Sequence, residues 1–142
     1  MADLNFTLTT AEVSVAAGVA KTILQAVAAA NHRVRVHTWG YYMKGGSTSA
    51  KARLLRQTTA GTMSALVPAK TGTESETIQT TGLHTATAEP TAGDVLATKE
   101  GPSYEGEYTP GREVKIPGAG RLGVEITADS TGDVVVWMAC EE

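Results

Sequence analysis

The stretch that most constrains what this chain can fold into is residues 112–140, REVKIPGAGRLGVEITADSTGDVVVWMAC. Val114 and Ile116 alternate with Glu113 and Lys115. Leu122, Val124 and Ile126 alternate with Gly123, Glu125 and Thr127, and residues 134–140 are apolar on both faces. Side chains on a strand point alternately to opposite faces, so a period of two puts the apolar set on one side and the charged set on the other. Residues 117–120 (PGAG) and 129–133 (DSTGD) supply turn chemistry between the runs. The expectation is a half-solvated hairpin leading into a buried strand, built as one sheet of a sandwich.

A chain of 142 residues reads as one domain, 1–142, with residues 1–10 as an N-terminal arm. Folding at that size buries roughly two-thirds of the surface of the unfolded chain, so no disulfide or metal is required as a staple. Aromatic residues make up only 5% of the chain, with a single Phe, so the core has to come from Val, Ile, Leu and Ala. Thr, being β-branched, suits the half-exposed sheet surface. The net charge of −3 argues against electrostatically driven binding to nucleic acid. The single Cys140 excludes an intrachain disulfide, and its place on an apolar run marks it as a buried, inert thiol. No secretory leader opens the chain and no apolar run is long enough to span a bilayer, which predicts a soluble protein made in the cytoplasm, with no membrane partner. The sequon Asn5-Phe6-Thr7 is then a chance match.

Taken in order, residues 4–9 (LNFTLT) predict a short strand at an edge or against a neighbouring subunit. Residues 21–28 carry both signals: the alanines favour a helix, while Ile23, Val27 and the turn at Asn31-His32 favour a strand. The strand is preferred and the helix is the alternative. Residues 32–44 (HRVRVHTWGYYMK) form the strongest strand of the N-terminal half. Arg33, Arg35, His37, Trp39, Tyr41 and Met43 fall on one side of it, and Val34, Val36, Thr38, Gly40 and Tyr42 on the other. Strands longer than about ten residues are uncommon, so Gly40 is expected to mark a bulge or bend where the chain changes sheet. Residues 45–49 read as a flexible loop, 50–57 as a strand, 61–68 as a turn and short strand, and 69–81 as a surface excursion. Residues 83–88 read as a strand, and 101–111 as a loop anchored by Tyr104 and Tyr108. The fold class is therefore all-β, a jelly-roll-like antiparallel β-sandwich of about eight strands.

The chemistry-bearing residues do not assemble into a reaction. His32 and His37 are five apart, which on a strand throws them to opposite faces, and His84 stands alone, so no metal site is expected. There is no Gly-x-Ser-x-Gly elbow and no phosphate loop. The carboxylate pairs Glu74/Glu76, Glu105/Glu107 and Asp129/Asp133 lie in or beside polar, turn-rich stretches. No catalytic residue, metal or cofactor is assigned. The one cluster of charge is a basic face, Arg33 and Arg35 with Lys51, Arg53 and Arg56, which reads as a solvated sheet face or as a docking surface for an acidic partner. Trp39, Tyr41, Tyr42, Tyr104 and Tyr108 read as packing or interface residues, with a sugar-stacking platform as the alternative.

Four segments in order, AKTILQAVAAANHRVRVHTWG, ARLLRQTTAGTMSALVPAK, LHTATAEPTAGDVL and GREVKIPGAGRLGVEITA, resemble a group of small structural proteins of tailed bacteriophages. The resemblance covers residues 19–128 and rests on core and turn positions. It implies a jelly-roll head protein that decorates or cements the capsid exterior as a homotrimer. Its partners would be the major capsid protein and its own copies, its location the outside of the virion head, and its activity non-enzymatic. On that footing the interface candidates are the N-terminal arm (Leu4, Phe6, Leu8) and the basic face (Arg33, Arg35, Arg53). The rival readings are a carbohydrate-binding module or tail receptor-binding component, and a cupin-like enzyme.

Overall fold

The computed structural model describes residues 4–44 and 48–142. Among them are thirteen strands and no helix. In chain order these are β1 (Asn5–Thr9), β2 (Val13–Val15), β3 (Lys21–Val27), β4 (Val34–Met43), β5 (Ala50–Gln57), β6 (Thr62–Leu66) and β7 (Ala69–Lys70). They are followed by β8 (Thr81–Ala88), β9 (Ala92–Gly101), β10 (Ser103–Glu107), β11 (Val114–Ile116), β12 (Arg121–Ala128) and β13 (Gly132–Glu141). Two antiparallel sheets pack as a jelly-roll-like sandwich. The seven-stranded sheet runs β10-β4-β13-β1-β7, with β11 also on β4 and β2 also on β13. The six-stranded sheet runs β6-β8-β3-β12-β5-β9. Between them lies one apolar cluster including Phe6, Leu8, Leu24, Val36, Trp39, Tyr41, Leu54, Val124, Ile126, Val136 and Met138. Burying a side chain of this size contributes roughly 1.5–3 kcal/mol.

Residues 21–27 form a strand, and the helix alternative is not adopted. Residues 112–140 do form three strands, but not in one sheet. β11 pairs with β4, β12 lies between β3 and β5, and β13 lies between β4 and β1. The turns after β11 and β12 carry the chain across the rim of the sandwich, where a tight hairpin would have kept it in one layer.

Gly40 is not where β4 changes layer; β4 stays in the seven-stranded sheet throughout. The irregularity is three residues earlier. Ala139 stands opposite Thr38 and Cys140 opposite Val36, leaving His37 as the extra residue of a bulge. Inserting one residue flips the alternation, so Val34 and Val36 before it and Trp39, Tyr41 and Met43 after it all face the core. The same device recurs where β12 meets β3: Val124 opposes Leu24 and Glu125 opposes Thr22, and both Ile23 and Leu24 are core residues.

Of the expected N-terminal arm, residues 4–10 are described, and residues 5–9 are built into the seven-stranded sheet as β1. β1 is flanked by β13 on one side and β7 on the other. Phe6 and Leu8 oppose Cys140 and Met138 and are 1% and 0% exposed, while Leu4 is also buried. Residues 101–111 are not simply a loop, since they hold β10, whose Tyr104 packs on Trp39 with ring centroids 4.9 Å apart. β9, ten residues long, had no counterpart in the sequence reading. The loop expected at 45–49 has residues 45–47 outside the described set.

Candidate functional site

The solvent face of the seven-stranded sheet is built around the bulge in β4. Extra residue His37 turns its ring outward between two carboxylates, with Nε2 at 2.9 Å from Glu141 and Nδ1 at 3.8 Å from Glu113. Arg35 forms an ion pair with the same Glu141, which stands directly opposite it across β4 and β13. Hydrogen bonds from its own amide and that of Gly111, with smaller contributions from His37 and Arg35, hold the Glu113 carboxyl below its ordinary range. The cluster therefore ties β4, β13 and the start of β11 together on their outer side.

Further along the same face, Trp137 stands opposite Gly40, and Tyr42 stands opposite Val135. The Tyr42 and Trp137 rings lie 6.1 Å apart at 48°. Tyr42 is 44% exposed, whereas Val135 is only 7% exposed. Both rings of this pair are at least partly open to water, whereas in the Trp39–Tyr104 pair Trp39 is fully buried. Of the other tyrosines and tryptophan singled out from sequence, Trp39 and Tyr41 are fully buried, and Tyr104 and Tyr108 pack against the core. The Tyr41 hydroxyl donates to the carbonyls of Gly101 (2.9 Å) and Ala50 (3.3 Å). Burial first, and Glu100 second, push its pKa up.

The six-stranded sheet carries a different pattern. Arg53 on β5 is paired with Glu125 on β12, its Nη2 2.7 Å and its Nε 2.9 Å from Oε1. Beside that pair a chain of hydrogen bonds runs through buried amides. Arg121 Nη1 donates to Gln25 Oε1 (3.2 Å), Gln25 Nε2 to Gln57 Oε1 (2.6 Å), and Gln57 Nε2 to Thr22 Oγ1 (2.9 Å). The Thr22 amide and hydroxyl both donate to Glu89 Oε1, at 2.6 and 2.9 Å. Gln25, Gln57 and Thr22 are 0%, 5% and 1% exposed, so each must find its partners inside the protein. Gly123 is what makes room: a Cβ there would collide with the Gln57 amide.

Of the interface residues predicted from sequence, Leu4, Phe6 and Leu8 are absorbed into the interior. Arg35 and Arg53 lie on opposite sheets, and Arg33 is exposed in the turn before β4. They do not form one basic face, because the strands between residues 33 and 56 alternate layers and put the arginines back to back. Cys140 is buried, and burial pushes its thiol up to about 12. Among the described residues no three His, Cys, Asp or Glu side chains are grouped as a metal site. An open cleft of about 380 Å³ is lined by Ser49, Ala50, Lys51, Glu100, Gly101 and Asp129, one lysine and two carboxylates among them. Glu141, Gln25, Gln57, Glu89 and Trp137 are the functional-looking groups that sequence reasoning missed. The only local signal was Gly123 and Gly40, small residues on otherwise bulky strands. No protein-family model, no curated protein and no solved structure matches the chain.

Proposed function

We propose that this chain is a non-enzymatic virion structural protein that binds the outer surface of a phage head as a decoration or cement protein, with the major capsid protein as its partner. The observation that carries this reading is how the polar and apolar groups are distributed. The charged side chains best placed for chemistry are tied to one another, as Arg35–Glu141–His37 and Arg53–Glu125. Large apolar side chains meanwhile stand in solvent: Val19, Val67, Val95 and Leu96 are 41–84% exposed. Val95 and Leu96 are consecutive on β9, an apolar step that supports contact with another protein. The stretches that resemble phage head proteins hold β3, β6, β7, β11 and β12 and parts of β4, β5, β8 and β9. Mass spectrometry of purified virions, with copy number taken relative to the major capsid protein, tests the reading. Hundreds of copies are expected, while a handful points to the tail or portal and absence overturns it.

A second reading, carbohydrate binding, is favoured by Tyr42 and Trp137, which offer an accessible pair of rings for stacking on a sugar. A glycan array separates the two: binding that is lost in Tyr42→Ala supports the second.

A further inference from the structure

On the outer face of the seven-stranded sheet, two carboxylates share three rows of paired residues with two partly open aromatic rings. The rows cross β10, β4 and β13 as Ser103–Tyr42–Val135, Glu105–Gly40–Trp137 and Glu107–Thr38–Ala139. Residues paired across strands share a face, and Ser103, Glu105 and Glu107 are the exposed positions of β10. The only charged side chains in these rows are the two carboxylates. Among the described residues neither has an ion-pair or hydrogen-bond partner. The cations earlier on β4, Arg35 and His37, are set against Glu141 and Glu113.

The rings form a corner beside those carboxylates. Gly40 lets the Trp137 indole lie across β4, since a Cβ there would collide with it, and the far side of Gly40 is the row position of Glu105. Tyr42, 44% exposed, stands 6.1 Å from Trp137 at 48°. Rings so inclined do not make one flat platform for a sugar. Aromatic faces with carboxylates at hand suit a planar cation, because a guanidinium stacks on the ring while its N–H fork matches the carboxylate.

We propose that this corner takes an arginine side chain presented by a basic segment of another protein. Charge complementarity selects that occupant: the patch is aromatic, negative and without a cation of its own, on a chain of net charge −3. The proposal goes beyond the capsid reading, naming a docking face and the group it takes, and it holds for any protein that presents the arginine. A glycan, the rival occupant of the same rings, has no need of the two charges.

The chain's two tryptophans give two indole N–H signals by NMR, and fully buried Trp39 is the internal reference. A capped Gly-Arg-Gly-Arg-Gly peptide at millimolar concentration should move the Trp137 signal saturably and leave that of Trp39 in place. The same peptide with citrulline, which keeps the shape and loses the charge, should move neither. Glu105→Gln combined with Glu107→Gln should weaken binding roughly tenfold, and Tyr42→Leu should weaken it several-fold. Should a variant fail to fold, the unmodified chain decides, since its binding must weaken as sodium chloride is raised. No Trp137 shift with the arginine peptide, an equal shift with the citrulline peptide, binding indifferent to the glutamine substitutions or to salt, or a shift only with a neutral glucose oligomer overturns the proposal. Virion copy number is untouched by any of these results, so the capsid reading stands or falls separately.

Discussion

The indole of Trp137 occupies the space where a side chain at Gly40 would stand: a Cβ built on Gly40 meets Trp137 Cζ2 at 2.5 Å. The carbonyl oxygen of Tyr104 lies at the same 2.5 Å on the other side. Gly40→Ala should therefore destabilise the fold by about 1–3 kcal/mol, as forced overpacking does. Urea denaturation measures the loss, and the Trp137 emission should shift in the native baseline. In a Trp137→Ala background the cost should shrink without vanishing, because the Tyr104 carbonyl remains.

The buried amides offer a second test. Gln57→Ala leaves the Gln25 amide and the Thr22 hydroxyl each short of a partner in a site without water access, which costs about 1–3 kcal/mol. Replacing both glutamines by leucine removes the two amides along with the bond between them, although Thr22 and Arg121 each still lose a partner. The double variant should lose less than the two single losses added together, which a double-mutant cycle by denaturant titration reads directly.

Alkaline pH gives a third. Burial raises Cys140 from 9.0 to about 12 and also raises Tyr41 and Tyr108 above 10.0. In the unfolded chain these groups release their protons at lower pH than in the folded one. The folded state then holds more protons, and stability falls as pH climbs through the unfolded values. The decline should begin near pH 9 with the thiol, and Cys140→Ala should remove that first part of the slope. At pH 8, a thiol reagent should label Cys140 at the rate of unfolding and no faster.

The Glu142 carboxylate accepts from the amides of Gln79 (2.6 Å) and Thr80 (2.9 Å) and from the Thr80 hydroxyl (2.5 Å), while its backbone pairs with Leu4. It pins the segment between β7 and β8 to the seven-stranded sheet. Glu142→Ala should raise local opening of residues 71–80 by roughly tenfold or more, a loss of about 1.5–3 kcal/mol for charge-assisted bonds. Trypsin should then cut after Lys70 faster, with the global denaturation midpoint nearly unchanged.

Individual strands were legible wherever apolar residues alternated cleanly, as in Leu122, Val124 and Ile126, and turn residues delimited them. The bulges were not, because an extra residue such as His37 or Ile23 needs no special chemistry. Its effect is to reverse the inward face of everything after it, and so Arg35 and His37 were grouped with Trp39. β9 escaped notice because an exposed edge need not alternate, and Ala92, Gly93 and Asp94 read as loop. Sheet membership was hidden for a different reason. Which layer a strand joins depends on partners far along the chain, as Arg53 and Glu125 show, and no local pattern records that. The site residues followed suit: Glu141 became visible as a partner only once β13 was laid against β4.

β13 lies between β4 and β1, so the centre of one whole layer is filled by a segment that leaves the ribosome after β1 to β12. Until residues 132–141 emerge, β1 and β4 have nothing between them and the apolar faces of Phe6, Leu8, Trp39 and Tyr41 have no cover. The domain cannot be assembled piecewise during synthesis. It must wait, and its nascent form carries a gap of one strand's width into which another chain's strand could slip.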